Sequence, residues 1–321
     1  MKKALKIIGI TLLIIITIAI IAAIVVVIYA KGMLNKINYE NVTREQITIN
    51  EGVEENLEKY RNIAILGLDT RDNTFANSRS DCIMIISINN KTKEVKIVSV
   101  YRDTYLQIEG YGLDKVNHAY AYKKAPLSIS TLNTNLDLDI TEYVTINFES
   151  VISVVDAMGG VNITVSNAEA TQIPGLSTGG TYNLTGTQAL AYGRIRKIDN
   201  DYVRTERMRT VLEKVFEKAQ KLDIVTLNNL VNELLPKVST NIKQNEIIKL
   251  IPQIYNYKVT ASVGWPYEVR GITLQAWYGV PVTLEENVKK LHEELFEDEE
   301  YEVSQTVKDI SDKIIKKTGY R

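Results

Sequence analysis

The chain has 321 residues, 45% of them hydrophobic, which suits one sizeable globular domain with additions and excludes a disordered chain. Its formal net charge of −1 excludes a nucleic-acid binder working by bulk electrostatics, so any anionic ligand must meet a local cluster of cations. A single cysteine, Cys82, excludes an intramolecular disulfide, and two histidines, His118 and His292, leave little for a zinc site or a Ser-His-Asp triad.

Lys2, Lys3 and Lys6 precede an uncharged run over residues 7–30, rich in Ile, Val, Leu and Ala. At about 1.5 Å per residue, such a helix spans the roughly 30 Å hydrocarbon core with some tilt. The run exceeds the roughly 7–15-residue core of a cleaved signal peptide and has no polar face, so it predicts a single transmembrane anchor. The leading lysines put residues 1–6 in the cytoplasm and the rest of the chain outside, although Lys31 and Lys36 weaken the asymmetry. Residues 31–61 read as a polar connector, helical over 53–60.

The domain proper is expected over residues 62–298. Residues 62–69 (N-I-A-I-L-G-L-D) and 82–88 are short, nearly continuous apolar runs, as in strands buried on both faces. Residues 89–94 have hairpin chemistry and lead into a third strand over 95–100. If the second and third strands pair as a hairpin, Asp81 lies beside Arg102. If the first is also antiparallel to the second, Asp69 reaches the same edge. Residues 143–148 read as a strand, 149–158 as an amphipathic helix stopped by Gly159-Gly160, and 161–165 as another strand. Thr185 caps a short helix around 188–192, residues 204–222 carry the clearest helical stripe, and Thr283 to Glu286 form a capping box opening a helix towards Phe296. Residues 299–321 look like a charged surface helix or tail. This alternation predicts an α/β fold with a central mixed β-sheet flanked by helices.

Three segments carry phosphate-type and metal-type ligands. Residues 66–81 hold Asp69, Arg71, Asp72, Arg79 and Asp81. Asp69 and Asp81, one at each end of a loop, suit a hard cation such as Mg²⁺, which takes one or two carboxylates and fills its other places with water and phosphate. The plain alternative is a solvated loop. Residues 98–106 hold Arg102 and Asp103; an arginine at a strand end offers a planar fork to phosphate, though an ordinary ion pair fits the same two residues. Downstream, K-V-N-H-A-Y-A-Y adds Lys115, Asn117 and His118. Residues 191–209 hold Arg194, Arg196, Lys197, Arg204, Arg207 and Arg209. Arg204 precedes Met208 by four and Val211 by seven, which places it on the inward stripe of its helix. A buried arginine needs an anion, either a bound phosphate or a carboxylate.

Together these segments resemble the LytR-CpsA-Psr family of cell-wall glycopolymer ligases. The resemblance runs over residues 62–222, and more loosely to about Phe296. It rests on L-G-x-D ending at Asp69, R-S-D at Arg79 to Asp81, R-D-T at Arg102 to Thr104, K-V-N-H-A-Y, V-D-A-M-G-G-V around Asp156, L-T-G-T-Q-A-L-A-Y-G-R-I-R and the following Arg204. Tyr101 stands where the family usually has proline, and Lys123-Lys124 where Gly-Gly is common. The resemblance implies that Asp69 and Asp81 coordinate Mg²⁺ (or Mn²⁺) on a polyprenyl pyrophosphate. Arg79, Arg102, Lys115, Arg194, Arg196 and Arg204 would hold the pyrophosphate, with Arg102, Asp103, Asp81 and Asp69 at the reaction and Asp103 supporting the site or assisting proton removal. An apolar groove between sheet and helices would take the lipid tail.

The implied activity is an extracytoplasmic phosphotransferase. It would move a polyprenyl-pyrophosphate-linked anionic glycopolymer, of teichoic acid or capsule type, onto a peptidoglycan sugar hydroxyl, the muramic acid 6-hydroxyl. Two rival readings are a hydrolase of the same carrier, with water as acceptor, and a non-catalytic receptor that binds the lipid-linked glycan and regulates envelope assembly. No nucleic-acid partner is expected.

Overall fold

Strands rich in Ile, Val and Leu on both sides must be covered on both sides, and the fold follows from that requirement. A computed structural model describes residues 38–321 apart from 71–74 and 76–77; the expected anchor, and Arg71 and Asp72, lie outside the described residues. Among the described residues no helix is long and apolar enough to cross a membrane.

In chain order, β1 (Asn38–Tyr39) and α1 (Val53–Leu57) precede three successive antiparallel strands, β2 (Tyr60–Leu68), β3 (Ser80–Asn89) and β4 (Glu94–Val100). A small hairpin, β5 (Tyr105–Ile108) and β6 (Gly112–Lys115), leads into α2 (His118–Leu136) and β7 (Glu142–Asn147). Next come α3 (Phe148–Ala157), β8 (Val161–Val165), α4 (Asn167–Ala170), β9 (Gly180–Leu184), α5 (Gly186–Gly193) and α6 (Asp201–Ala219). The rest comprises α7 (Ile224–Leu234), β10 (Val238–Thr240), α8 (Gln244–Leu250), β11 (Lys258–Trp265), the hairpin β12 (Val269–Thr273) and β13 (Trp277–Pro281), α9 (Leu284–Phe296) and α10 (Gln305–Thr318). Seven strands form the main sheet in the order β1-β10-β7-β2-β3-β4-β11. It is mixed, because β2 runs parallel to β7, and β4 to β11.

Alternation along the strands divides the core in two. Leu66, Leu68, Ile83, Ile85 and Val98 face one layer, packed with α2, α9 and α10. Ile65, Met84, Ile97 and Val144 face the other, under Met208 and Leu212 of α6. A third cluster joins α3, the β8–β9 hairpin, α5 and α6. The expected stop at Gly159-Gly160 is present: both have φ above +70°, at 73° and 89°, where a side chain would be strained.

The folded unit is wider than the expected 62–298, running from Asn38 to Arg321. In the supposed connector, Ile47, Val53 and Leu57 are core residues, and β1 pairs with β10. The supposed charged tail forms α10, whose Val307, Ile310 and Ile314 are buried in the larger core while its lysines face water. Apolar residues at i, i+3 and i+7 make that helix amphipathic, and burial against α2 and α9 overrides its charged appearance.

Candidate active site

Asp81 interrupts the pairing of β2 with β3. Gly67 pairs with Cys82 and Leu68 with Ser80, so Asp81 is the extra residue of a β-bulge. A bulge bends its strand and re-aims the side chain it carries. Gly67 leaves room for it: a Cβ there would lie 2.9 Å from the Cβ of Cys82. On the other side, β4 ends with Val100 paired to Ile83, so Arg102 follows opposite the bulge. Asp69 directly follows β2 and reaches the same sheet edge.

Arg102 is the hub of this edge. Its Nη1 donates to Asp81 Oδ2 at 2.7 Å. Its Nε lies 3.4 Å from Asp103 and 3.3 Å from Asp201, buried and without a well-formed hydrogen bond. Burial opposes the charge on Arg102, but Asp81, Asp201 and Asp103 outweigh it and hold its pKa above the ordinary value. Lys115, at the end of β6, donates from Nζ to Asp103 Oδ1 at 2.6 Å and lies 5.6 Å from the centre of the Tyr278 ring. The Asn117 amide nitrogen stands 3.4 Å from Asp81 Oδ1, while its own Oδ1 is buried without a partner.

The cations arrive from α5 and α6. Asn200 caps α6 by accepting from the backbone amides of Tyr202 and Val203, so the helix starts at Asp201, three residues before the expected point. Arg204 faces inward as expected and is only 2% exposed. Its Nη2 donates to Asp201 at 3.1 Å and to the Asp81 carbonyl at 3.3 Å, and its Nε is buried without a partner. Burial pushes Arg204 below its ordinary pKa; Asp201 and Asp81 resist, whereas Arg102 and Arg196 push the same way. Arg196 Nη2 lies 3.6 Å from Asp81 Oδ2. Arg194 lies 3.6 Å from Asp69 and stacks its guanidinium 4.6 Å from the centre of the Phe148 ring.

The structure therefore gathers Asp69, Asp81, Arg102, Asp103, Lys115, Arg194, Arg196 and Arg204 at one sheet edge. Arg79 is different: it is exposed and outside the ion pairs just described. Sequence reading missed Asp201 as a site residue, although Asn200 is a favoured N-cap residue and Asp201 an acid suited to the first turn of a helix. It also left Asn117 unassigned, because its contact with Asp81 is purely tertiary.

Among the described residues no group of three His, Cys, Asp or Glu side chains forms a metal cage. Asp69, Asp81 and the unpartnered Asn117 oxygen supply hard donors only. That set fits Mg²⁺, which needs no more than one or two carboxylates when water and substrate phosphate complete its shell. The surplus of guanidinium groups around Arg204 fits a diphosphate for the same electrostatic reason.

Below the charged edge lies an apolar cavity of about 310 Å³, between the sheet face and helices α3, α5 and α6. Ile65, Met84, Val144, Val151, Leu212 and Val215 line its depth. At the charged end its wall is built by Gly67, Cys82, Phe148, Gly193 and Met208. Cys82 adjoins Asp81, Gly193 adjoins Arg194, and Met208 is one helical turn from Arg204. Burial pushes the Cys82 thiol up to about 12, so it behaves as an apolar lining group.

The chain resembles several characterised proteins over this region. The polyisoprenyl-teichoic acid–peptidoglycan teichoic acid transferase TagU of Bacillus cereus is 35% identical over 216 residues, covering 66% of this chain and 70% of that one. The corresponding TagT of Bacillus subtilis is 32% identical over 224 residues, covering 65% and 70%. A structure of TagT bound to LIIa-WTA superposes with a TM-score of 0.62 at 28% identity, covering 75% of this chain and 92% of that one. The YwtF (TagT) structure with bound octaprenyl pyrophosphate lipid gives 0.58 at 26% identity, with coverage of 75% and 92%. The pattern of the LytR_cpsA_psr family matches residues 24–294, and the chain belongs to that family.

Proposed function

We propose that this protein is a phosphotransferase that moves a polyprenyl-pyrophosphate-linked anionic glycopolymer, of teichoic acid or capsule type, onto a sugar hydroxyl of peptidoglycan. One observation carries the reading: a cavity lined by apolar residues ends at a cluster of arginines, of which Arg204 is buried and Arg102 partly so, each with an unpartnered Nε. A long prenyl chain suits the first and a diphosphate the second. The relatives' names and the prenyl lipid bound to YwtF support the same assignment.

In this reading the prenyl tail lies between α3, α5, α6 and the sheet, with the diphosphate among Arg102, Arg194, Arg196 and Arg204. The acceptor hydroxyl oxygen attacks the phosphorus that bears the glycopolymer. Its O–P bond forms as the bond from that phosphorus to the bridging oxygen breaks, and polyprenyl phosphate leaves with the electron pair. The hydroxyl proton passes to the Asp103 carboxylate and on to water. The guanidinium groups are already in place, so they neutralise charge on the departing phosphate with little reorganisation. Asp69 and Asp81 would hold Mg²⁺, which supplies further neutralisation of the diphosphate when bound. The apolar run at residues 7–30 anchors the chain in the membrane, with the catalytic domain on the outer side.

The test uses the full chain in lipid nanodiscs, a prenyl-pyrophosphate-linked glycopolymer and peptidoglycan oligomers. Wild type yields the phosphodiester-linked product, and Arg102→Ala loses on the order of 10²–10³ in turnover, as for a removed oxyanion donor. Release of free glycopolymer in place of the linked product makes the protein a hydrolase. Equal transfer by wild type and Arg102→Ala ends the catalytic assignment.

A further inference from the structure

Among the described residues, Tyr111 and Tyr122 are large aromatic side chains left open to water, 45% and 39% exposed. Their rings are stacked, 5° from parallel with centroids 4.0 Å apart. One stands in the β5–β6 turn and the other near the start of α2, so two separate elements build one aromatic stack, a platform whose ring faces cover each other on the inside and can meet a ligand on the outside. Two aromatic rings from separate elements held together at the surface leave apolar area that a ligand can cover.

The platform has a fixed polar flank. Asp114 accepts from the Tyr122 hydroxyl at 2.7 Å and from its own neighbour, the Lys115 amide, at 2.8 Å; His118 Nδ1 also lies 2.8 Å away. Burial alone would raise the Asp114 pKa, but the hydrogen bonds from Tyr122 and His118 hold it below the ordinary range. Flat apolar rings beside an oriented carboxylate match a pyranose, whose C–H face is apolar and whose rim carries hydroxyls. Directly after Tyr122 the helix breaks: Lys123 is non-helical and Lys124 adopts φ 56°, ψ −153°. That conformation is nearly exclusive to glycine, and strain of this kind collects at binding and catalytic sites.

Two features tie the platform to the reaction. Lys115, the residue after Asp114, is bonded to Asp103, which borders Arg102. The platform also belongs to the sheet face packed by α2, whereas the lipid cavity lies on the opposite face under α6. With prenyl phosphate leaving on the cavity side, an in-line displacement brings the acceptor from the platform side. From these observations we propose that Tyr111, Tyr122 and Asp114 form a saccharide subsite that seats a pyranose ring of the acceptor glycan strand.

This rests on the transfer reading above, and its test separates the two. The full chain in nanodiscs is assayed with a fixed saturating donor and a varied glycan-strand oligomer, alongside equilibrium binding of the same oligomer without donor. Tyr111→Ala and Tyr122→Ala raise the acceptor KM by about ten-fold, in line with one lost aromatic contact, and leave the donor KM unchanged. Tyr111→Trp and Tyr122→Phe retain the stacking face and stay within about three-fold of wild type. Both alanine positions are exposed, and unchanged melting confirms folding; a variant that fails to fold is replaced by the corresponding serine. Equal oligomer binding and equal acceptor KM in wild type and the alanine variants overturn the subsite. A rise confined to the donor KM also overturns it, by giving the tyrosines to the incoming polymer. Hydrolysis without transfer in wild type ends the ligase reading, while loss of oligomer binding in the alanine variants would still uphold the subsite.

Discussion

Two arginines on α6, Arg204 and Arg207, are three residues apart and almost equally buried, at 2% and 3% exposed, yet they live in opposite surroundings. Arg207 turns towards the β8–β9 side. It donates from Nε to Glu169 at 2.7 Å, ion-pairs with Asp199, and reaches the Ile195 carbonyl. Burial works against its charge, but the bonds to Asp199 and Glu169 win and raise its pKa. Arg204 turns towards the sheet edge, where it shares Asp201 and Asp81 with Arg102 and Arg196 and keeps an unpartnered Nε. A guanidinium whose anions come from its own fold is structural. One that is buried, crowded by other cations and short of acceptors is waiting for an anion from outside.

The largest effect expected from breaking this contrast is on stability at Arg207. Arg207→Ala strands two carboxylates and should lower unfolding stability by about 3–5 kcal/mol, read by denaturant titration. Arg204→Ala removes a poorly compensated charge, so its denaturant midpoint should stay near that of wild type while turnover falls on the order of 10²–10³. If the two substitutions have the same pair of effects, the distinction between them fails. Next in size is ligand stabilisation. Prenyl pyrophosphate at 100 times its Kd should stabilise wild type by about 2.7 kcal/mol, and Arg204→Ala far less at that same concentration. Leu212→Trp, which fills the cavity from α6, should lose the same stabilisation with long prenyl chains while leaving the charged edge in place. A long-chain response equal to wild type in that variant would remove the cavity from the binding site.

How far this was legible in the sequence depends on the range of the interactions. The three central strands were readable because burial on both faces leaves unbroken apolar runs, and hairpin geometry alone then placed Asp81 beside Arg102. Helical period alone put Arg204 inside. Its partner Asp201, three residues earlier, follows from the same period once the helix is started at Asp201, but Asp81 reaches Arg204 from a distant strand and left no local trace. Arg207 shares its segment and its charge with Arg204 and is told apart from it by Asp199, which the intervening bend brings back to it, and by Glu169, far away in sequence. The amphipathic signal in α10 was present in Val307, Ile310 and Ile314, but the surrounding lysines and acids masked it. The β5–β6 hairpin is too short for periodicity to reveal, so the pairing of Tyr111 with Tyr122 had no trace in local pattern.

The smallest effect expected concerns pH, and it sharpens the contrast without touching the charged edge. Burial would raise the Glu169 pKa, but the Ser166 amide and Arg207 hold it below the ordinary carboxylate value. A folded-state pKa below the unfolded one means that the unfolded chain binds the proton more readily. The stabilisation from Glu169 is therefore complete above the unfolded carboxylate value, near pH 4–5, and is lost as pH falls through the lower folded value. Replacing Glu169 with Gln should flatten the acid limb of stability by an amount on the order of 1 kcal/mol, measured by denaturant melts between about pH 3 and 7. Arg207→Ala should flatten it too, and the double variant should add little, because both remove one coupled interaction. Arg204→Ala should leave this part of the profile as in wild type. A matching loss there would mean that the two arginines share one electrostatic network, and that the charged edge is braced by the structural pair behind it.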